Sequence, residues 1–328
     1  MVELNGKKIL VTFLMHLGDL TLTTPFIHAL RKAAPDAHIT MLVDEKLKDV
    51  VLFNPYLDEV VTIDKKGRDN SILSLWACSR HLSKLDFDVL INLHPNERCS
   101  FIDAMTSVKL RTGTTHKIFK WFWDVFTPLD RSMHAADMYL DVLQQLGVQD
   151  LSSNGLEIFP GEEHFLEAEL FWQEQNITDQ DKLIGFNIGS AVPTKRWPPE
   201  RFAEVADIFA AKGYKTVFFG GPMDEEMVAE ATGYMQTRPI IATGHFAIGG
   251  LAAAMRRCCL IITNDSGPMH VAISQKVPIV AMYGPSNPKL YGPYTKDAVI
   301  VTAQPPCQGC ADGMKHSCDD LQCMSRMT

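Results

Sequence analysis

The chain has 328 residues, 46% of them hydrophobic, enough for two domains of ordinary size with a core in each. A formal net charge of −8 excludes a general nucleic-acid binder, whose affinity comes from basic charge laid along phosphates. No apolar run reaches the roughly 18 residues of a membrane span and the charged opening MVELNGKKILVTF is no signal peptide, so cytoplasm is the expected compartment.

Short apolar runs alternate with helical patterns from the first residues on: KILVTF, then a helix through PFIHALRKAA; HITMLV, then KLKDVVLF; EVVTI; DVLINLH. That alternation predicts parallel sheet with crossover helices. Gly18 and Asp19 fall in the loop after the first strand, the edge at which open α/β sheets bind ligands. Asp19 there suits either turn chemistry or a general base. The loop carries no G-x-G-x-x-G, which argues against a dehydrogenase, and nothing resembles a P-loop. Asp86 and Asp88 form a D-x-D, but they begin a strand rather than end one and read as structural. KLRTGTTHKIFKWFWDVF is basic and aromatic. Arg111, Lys117 and Lys120 suit an anionic acceptor or a membrane surface, and a packed amphipathic helix fits equally.

GVQDLSSNGLEIFPGEEHF reads as a connection, which predicts domains at 1–160 and 161–328. A second alternating series follows: KLIGFNIG, a helix through PERFAEVADIFAAKG, then KTVFFGG, PIIAT, CLIITND, PIVAMYG and AVIVT. The expected architecture is two doubly wound α/β domains facing across a cleft. Ser190, Thr194, Lys195 and Arg196 gather in the loop after the first strand of this series, a placement that suits phosphate. After VFFGG, Asp224 or Glu225 could accept a ribose hydroxyl, or simply complement a helix dipole. Phe246 suits a base or a core. Asp265, Ser266 and Gly267 end an apolar strand at a helix start, where unpartnered N–H groups attract an anion; a plain cap, with His270 a core histidine, is the alternative.

Eight cysteines without a signal sequence are no disulfide framework. Four cluster at the end, Cys307, Cys310, Cys318 and Cys323, and their spacing allows a structural zinc or iron–sulfur centre.

At GDLTLTTPFIHAL, PTKRWPPERFAEV and TNDSGPMHVAISQKVPIVAMYGPSNP the sequence resembles the lipopolysaccharide heptosyltransferases, family 9 of the glycosyltransferases. The resemblance runs from the first strand nearly to the last residue and implies a GT-B fold. It also implies ADP-heptose as donor, a lipid-linked saccharide as acceptor, inversion at the anomeric carbon, and no catalytic metal or cofactor. By matching position, Asp19 would take the acceptor proton and Lys195 would hold the diphosphate with Ser190 nearby. Asp224 would face the ribose, Phe246 the adenine, and Asp265, Ser266, Gly267 and His270 the phosphates. Another nucleotide sugar or acceptor, a non-catalytic binder and an epimerase are the competing expectations. The basic aromatic segment adds an expectation of its own, peripheral contact with the inner face of the cytoplasmic membrane.

Overall fold

The computed structural model describes residues 2–304, 306, 307, 310 and 318–327, and the chain divides into two compact units, Met1–Phe159 and Pro160–Thr328. In the first, strands β1 (Lys8–Thr12), β2 (His38–Asp44), β3 (Glu59–Ile63), β4 (Phe87–Asn92), β5 (Val108–Gly113) and β6 (Val125–Phe126) form one sheet in the order β3-β2-β1-β4-β5-β6. Every ladder is parallel. The central strand β1 is buried at every residue after Lys8, which is why KILVT reads as a continuous apolar run rather than an alternating one. Helices α1 (Leu17–Thr21) and α2 (Thr24–Ala33) follow β1, α3 (Ile72–Ser83) precedes β4, α4 (Glu97–Met105) follows it, and α5 (Ala135–Gln145) ends the unit. Leu10, Leu42, Phe87, Leu90 and Ile102 form one core cluster under α3 and α4. Each such side chain contributes about 1.5–3 kcal/mol on burial.

Two local expectations change. The segment KLKDVVLF is a 3-10 turn over Glu45–Val50, not an α-helix: the Asp44 carboxylate accepts the Lys46 N–H at 3.2 Å, and Pro55 soon after leaves no room for longer helix. The loop after β1 instead holds the short helix α1, with Asp19 in its first turn.

The second unit repeats the winding. Strands β7 (Leu183–Asn187), β8 (Lys215–Phe219), β9 (Ile240–Ile241), β10 (Cys258–Asn264), β11 (Ile279–Met282) and β12 (Ala298–Val301) lie in the order β12-β11-β10-β7-β8-β9, all parallel. Its helices are α6 (Glu162–Glu174), α7 (Pro199–Ala211), α8 (Glu225–Tyr234), α9 (Ile248–Met255), α10 (Gly267–Ser274), α11 (Pro288–Tyr291) and α12 (Gln322–Ser325). Phe186, Trp197, Phe202 and Phe218 share a core cluster with Cys323, Met324 and Met327, and the Trp197 indole donates to the Met327 carbonyl at 3.2 Å. The final segment is thus part of this unit's core. In each sheet the strand order reverses once, between β1 and β4 and between β7 and β10, and open α/β sheets bind ligands beyond the carboxyl ends at such points. Among the described residues no helix is long and apolar enough to cross a membrane.

Candidate active site

At the second unit's reversal point, two asparagines end neighbouring strands and tie their loops together. Asn187 donates to Thr263 Oγ1 at 3.0 Å and to Ser266 Oγ at 2.9 Å. Asn264 donates to the Ile188 carbonyl at 2.7 Å and accepts the Trp197 N–H at 3.0 Å. These bonds hold the 188–197 loop against the 264–267 turn, and the loop delivers Lys195, whose ammonium lies 2.8 Å from the Asp265 carboxylate. Both side chains are largely buried, and Ser286 Oγ donates a short bond to the same carboxylate. Nearby, burial and the Asp265 charge push the Tyr283 phenol well above its usual range, and its hydroxyl donates to the Tyr291 carbonyl at 2.8 Å.

The turn then opens α10. Ser266 is its N-cap with extended backbone, but its hydroxyl does not cap the helix; Gly267 and Pro268 form the first turn, and the Met269 N–H turns back to the Ser266 carbonyl at 3.2 Å. Pro268 has no N–H and the Met269 N–H is taken, so of the first turn only the Gly267 N–H is left without an acceptor in the helix. His270 is buried in the same helix.

The other expected donor residues have partners of their own. Ser190 and Thr194 are buried, and Ser190 Oγ accepts the Val192 N–H at 3.3 Å. Arg196 differs from the expectation of two phosphate-facing cations: its guanidinium donates to the Ser190 carbonyl at 2.8 Å and braces the loop from within. Asp224 is buried at the end of β8 and accepts the Gly221 N–H at 2.9 Å. A side chain at Gly189 would lie 2.1 Å from the Asp224 carboxylate, so glycine there lets the β7 and β8 loops approach. Phe246 is half-buried, with its ring 5.0 Å from Phe171 of α6 and 4.7 Å from His245.

In the first unit, Asp19 is half-buried in α1 at the carboxyl end of β1. The preceding loop is held by Lys65, which donates to the Leu14 and Met15 carbonyls at 2.9 and 2.8 Å and pairs with Asp44 at 3.1 Å. Next to β1, His94 follows the end of β4; burial, with Arg131 and His16 nearby, drives its pKa down to about 4, so the imidazole is neutral at pH 7. Asp103 of α4 is fully buried, accepting from Thr12 Oγ1 at 2.8 Å and Asn92 Nδ2 at 2.6 Å. Its pKa is pushed up to about 7 by burial, against the lowering effect of those donors.

The basic segment splits. Arg111 donates to the Asp103 carbonyl at 3.1 Å and to Thr106, complementing the carboxyl end of α4, and is not grouped with the exposed Lys117 and Lys120. Those lysines sit on a 3-10 turn, Lys117–Phe122, not on an amphipathic α-helix. Asp88 of the D-x-D pairs with Lys109 at 2.6 Å and accepts the Lys8 N–H at 2.9 Å.

The four clustered cysteines line one small cavity with Thr194, Pro285 and Leu321. Among the described residues no group of three or more His, Cys, Asp or Glu is placed to hold a metal ion. Cys323 is committed to the core, its pKa raised by burial first and by the other three thiols next, while Cys318 Sγ accepts the Leu321 N–H at 3.4 Å.

Reasoning from sequence missed Asn187, Asn264, Ser286, Lys65, His94 and Asp103. The asparagines carried a signal, one polar residue closing each of two apolar strands. Lys65 and Asp103 carried none, because their partners are distant in the chain.

The profile of Glycosyltransferase family 9 (heptosyltransferase) matches residues 75–318. A crystal structure of a family 9 glycosyl transferase from Veillonella parvula DSM 2008 is 57% identical, covering 92% of this chain and 88% of that one, with a TM-score of 0.90. The structure of E. coli ADP-heptose lps heptosyltransferase II superposes with a TM-score of 0.78 at 22% identity, over 90% of each chain. Lipopolysaccharide heptosyltransferase 3 of Escherichia coli K12 is 24% identical over 297 residues, which is 86% of this chain and 84% of that protein.

Proposed function

The chain belongs to glycosyltransferase family 9, the heptosyltransferases, with the GT-B type of fold, and from that membership we propose that it transfers a heptose from ADP-heptose to a hydroxyl of the lipopolysaccharide inner core. The first unit supplies the acceptor side and the second holds the donor. What most supports this reading is the buried Lys195–Asp265 pair beside the open start of α10. An ammonium has three donors. Asp265 occupies one and fixes the group, and the others serve a diphosphate. A helix end contributes about 0.3–1 kcal/mol in exposed settings, whereas a cation near 4 Å at an effective dielectric of 20 contributes about 4. Lys195 therefore outweighs the dipole, and the reading needs no metal ion for the leaving group.

In the step itself the acceptor oxygen attacks the anomeric carbon, the bond from that carbon to the diphosphate breaks, and ADP departs with the electron pair. The acceptor proton passes to Asp19. A single displacement inverts the centre and needs one base with no covalent partner. Ser190, Thr194, Ser266, Gly267 and His270 line the phosphates, Asp224 the ribose and Phe246 the adenine. Arg111 serves the acceptor only through α4, leaving Lys117 and Lys120 as the exposed cations for a lipid-linked saccharide at the inner face of the cytoplasmic membrane.

Asp19→Asn is expected to reduce ADP release in the presence of ADP-heptose and acceptor by about 10²–10⁴-fold. Calorimetry should find ADP bound as in the parent. Transfer by the variant near the parent rate would remove Asp19 from the step, and ADP release without acceptor would favour the epimerase alternative.

A further inference from the structure

The exposed large apolar side chains of the first unit are concentrated. Ile72 and Leu73, 73% and 78% exposed, open α3 with Trp76 one turn later, and Ile118, Trp121 and Phe122 stand on the 3-10 turn, Trp121 at 90%. The connections β3–α3–β4, β4–α4–β5 and β5–turn–β6 all step the same way across the sheet, so right-handed crossovers put α3, α4 and the turn on one face. Helix α4 packs against both neighbours, with Phe101 of α4 6.2 Å from Phe119 of the turn. The apolar groups also share an edge. The start of α3 follows the carboxyl end of β3, and the turn leads from the end of β5 into β6, which pairs with Thr112 and Gly113.

Charge distinguishes this region from the rest of the chain. Residues 64–122 hold ten Lys and Arg against six Asp and Glu, in a chain whose net charge is −8. Lys117 and Lys120 enter no ion pair among the described residues. Lys120 lies over the Phe126 ring at 4.3 Å and Arg80 over the Trp76 ring at 5.5 Å, so cations flank the aromatic groups.

We propose that the first turn of α3 and the Lys117–Phe122 turn together form an interfacial anchor for an anionic bilayer. Tryptophan favours the headgroup level, and stable attachment needs both apolar insertion and basic charge, which this surface combines. The anchor lies at the edge that carries Asp19, so it deepens the reading of a lipid-linked acceptor and rests on it. It differs from the basic segment as read in sequence: α3 joins it, whereas Lys109 and Arg111 are occupied elsewhere.

The test is flotation of the full chain with phosphatidylcholine vesicles, with and without one part in about four of phosphatidylglycerol. Binding to the anionic vesicles is expected, with little to the neutral ones. Leu73→Glu with Trp121→Glu should lower partitioning at least tenfold, Lys117→Glu with Lys120→Glu should abolish the preference for anionic lipid, and Lys109→Glu should change neither. Circular dichroism and ADP calorimetry on the first double variant verify folding and leave the donor reading separately testable: vesicle binding without ADP binding would sink that reading and keep the anchor. Absence of anionic-vesicle binding at low salt, or binding equal in the parent and the Leu73/Trp121 variant, overturns the anchor. So does a dimer in sedimentation velocity that this variant dissolves, because a second copy would then cover the surface.

Discussion

Asp103 shows how much one buried carboxyl changes what a residue can report. Its neighbours donate to Oδ2, while Oδ1 is buried without a hydrogen-bond partner, a situation that favours the neutral acid. A carboxyl whose folded pKa is raised to about 7 keeps its proton in the native state after the unfolded chain has lost it near pH 4. Its contribution to stability is therefore complete at low pH and is lost as the pH rises through that window, by at most about 1.4 kcal/mol per unit. Asp103→Asn should remove this dependence, so the variant gains on the parent between pH 4 and 7 in denaturant titrations. His94 has the opposite sign. Its stability contribution is present above the ordinary histidine range and is lost as the pH falls toward about 4, so parallel curves for parent and variant would show that Asp103 is ionised throughout. Neither residue could be identified from its local sequence, because burial is what shifts both pKa values.

At the level of elements, the donor side depends on how strand ends are fastened. Asn264 closes β10 and serves two backbone groups of another loop, the Ile188 carbonyl and the Trp197 N–H. Asn264→Ala leaves both unsatisfied, each at a cost of about 1–3 kcal/mol. The expected result is a lower melting temperature together with weaker ADP binding, since the freed loop carries Lys195; lost stability with unchanged ADP affinity would make the strut structural only. The strands and most helices were legible because their apolar periodicity is local. The 3-10 turn at Glu45–Val50 was not, since KLKDVVLF has the spacing of a helix and only the capping by Asp44 and the approach of Pro55 shorten it. Lys195 and Asp265 were each conspicuous in the sequence, but their pairing across seventy residues was not.

For the whole molecule, the same winding occurs twice, each time with its own core and its own reversal point. If the second unit alone holds the nucleotide, ADP should slow amide hydrogen exchange in β7, β10 and α10 and leave β1, β4 and α4 unchanged. At a hundredfold excess over Kd the expected gain is about 2.7 kcal/mol for globally exchanging amides. Equal protection in both units would contradict the assignment of donor to the second. The sequence by itself determined the class of fold, the family, and the strand ends at which chemistry gathers, because periodicity and motif spacing are properties of neighbouring residues. Only the tertiary structure decided which cations are free and which brace a loop, that the four close cysteines share one small cavity with Thr194 and Pro285, and that apolar groups from α3 join those after β5. Those outcomes depend on burial and on partners brought together from distant parts of the chain.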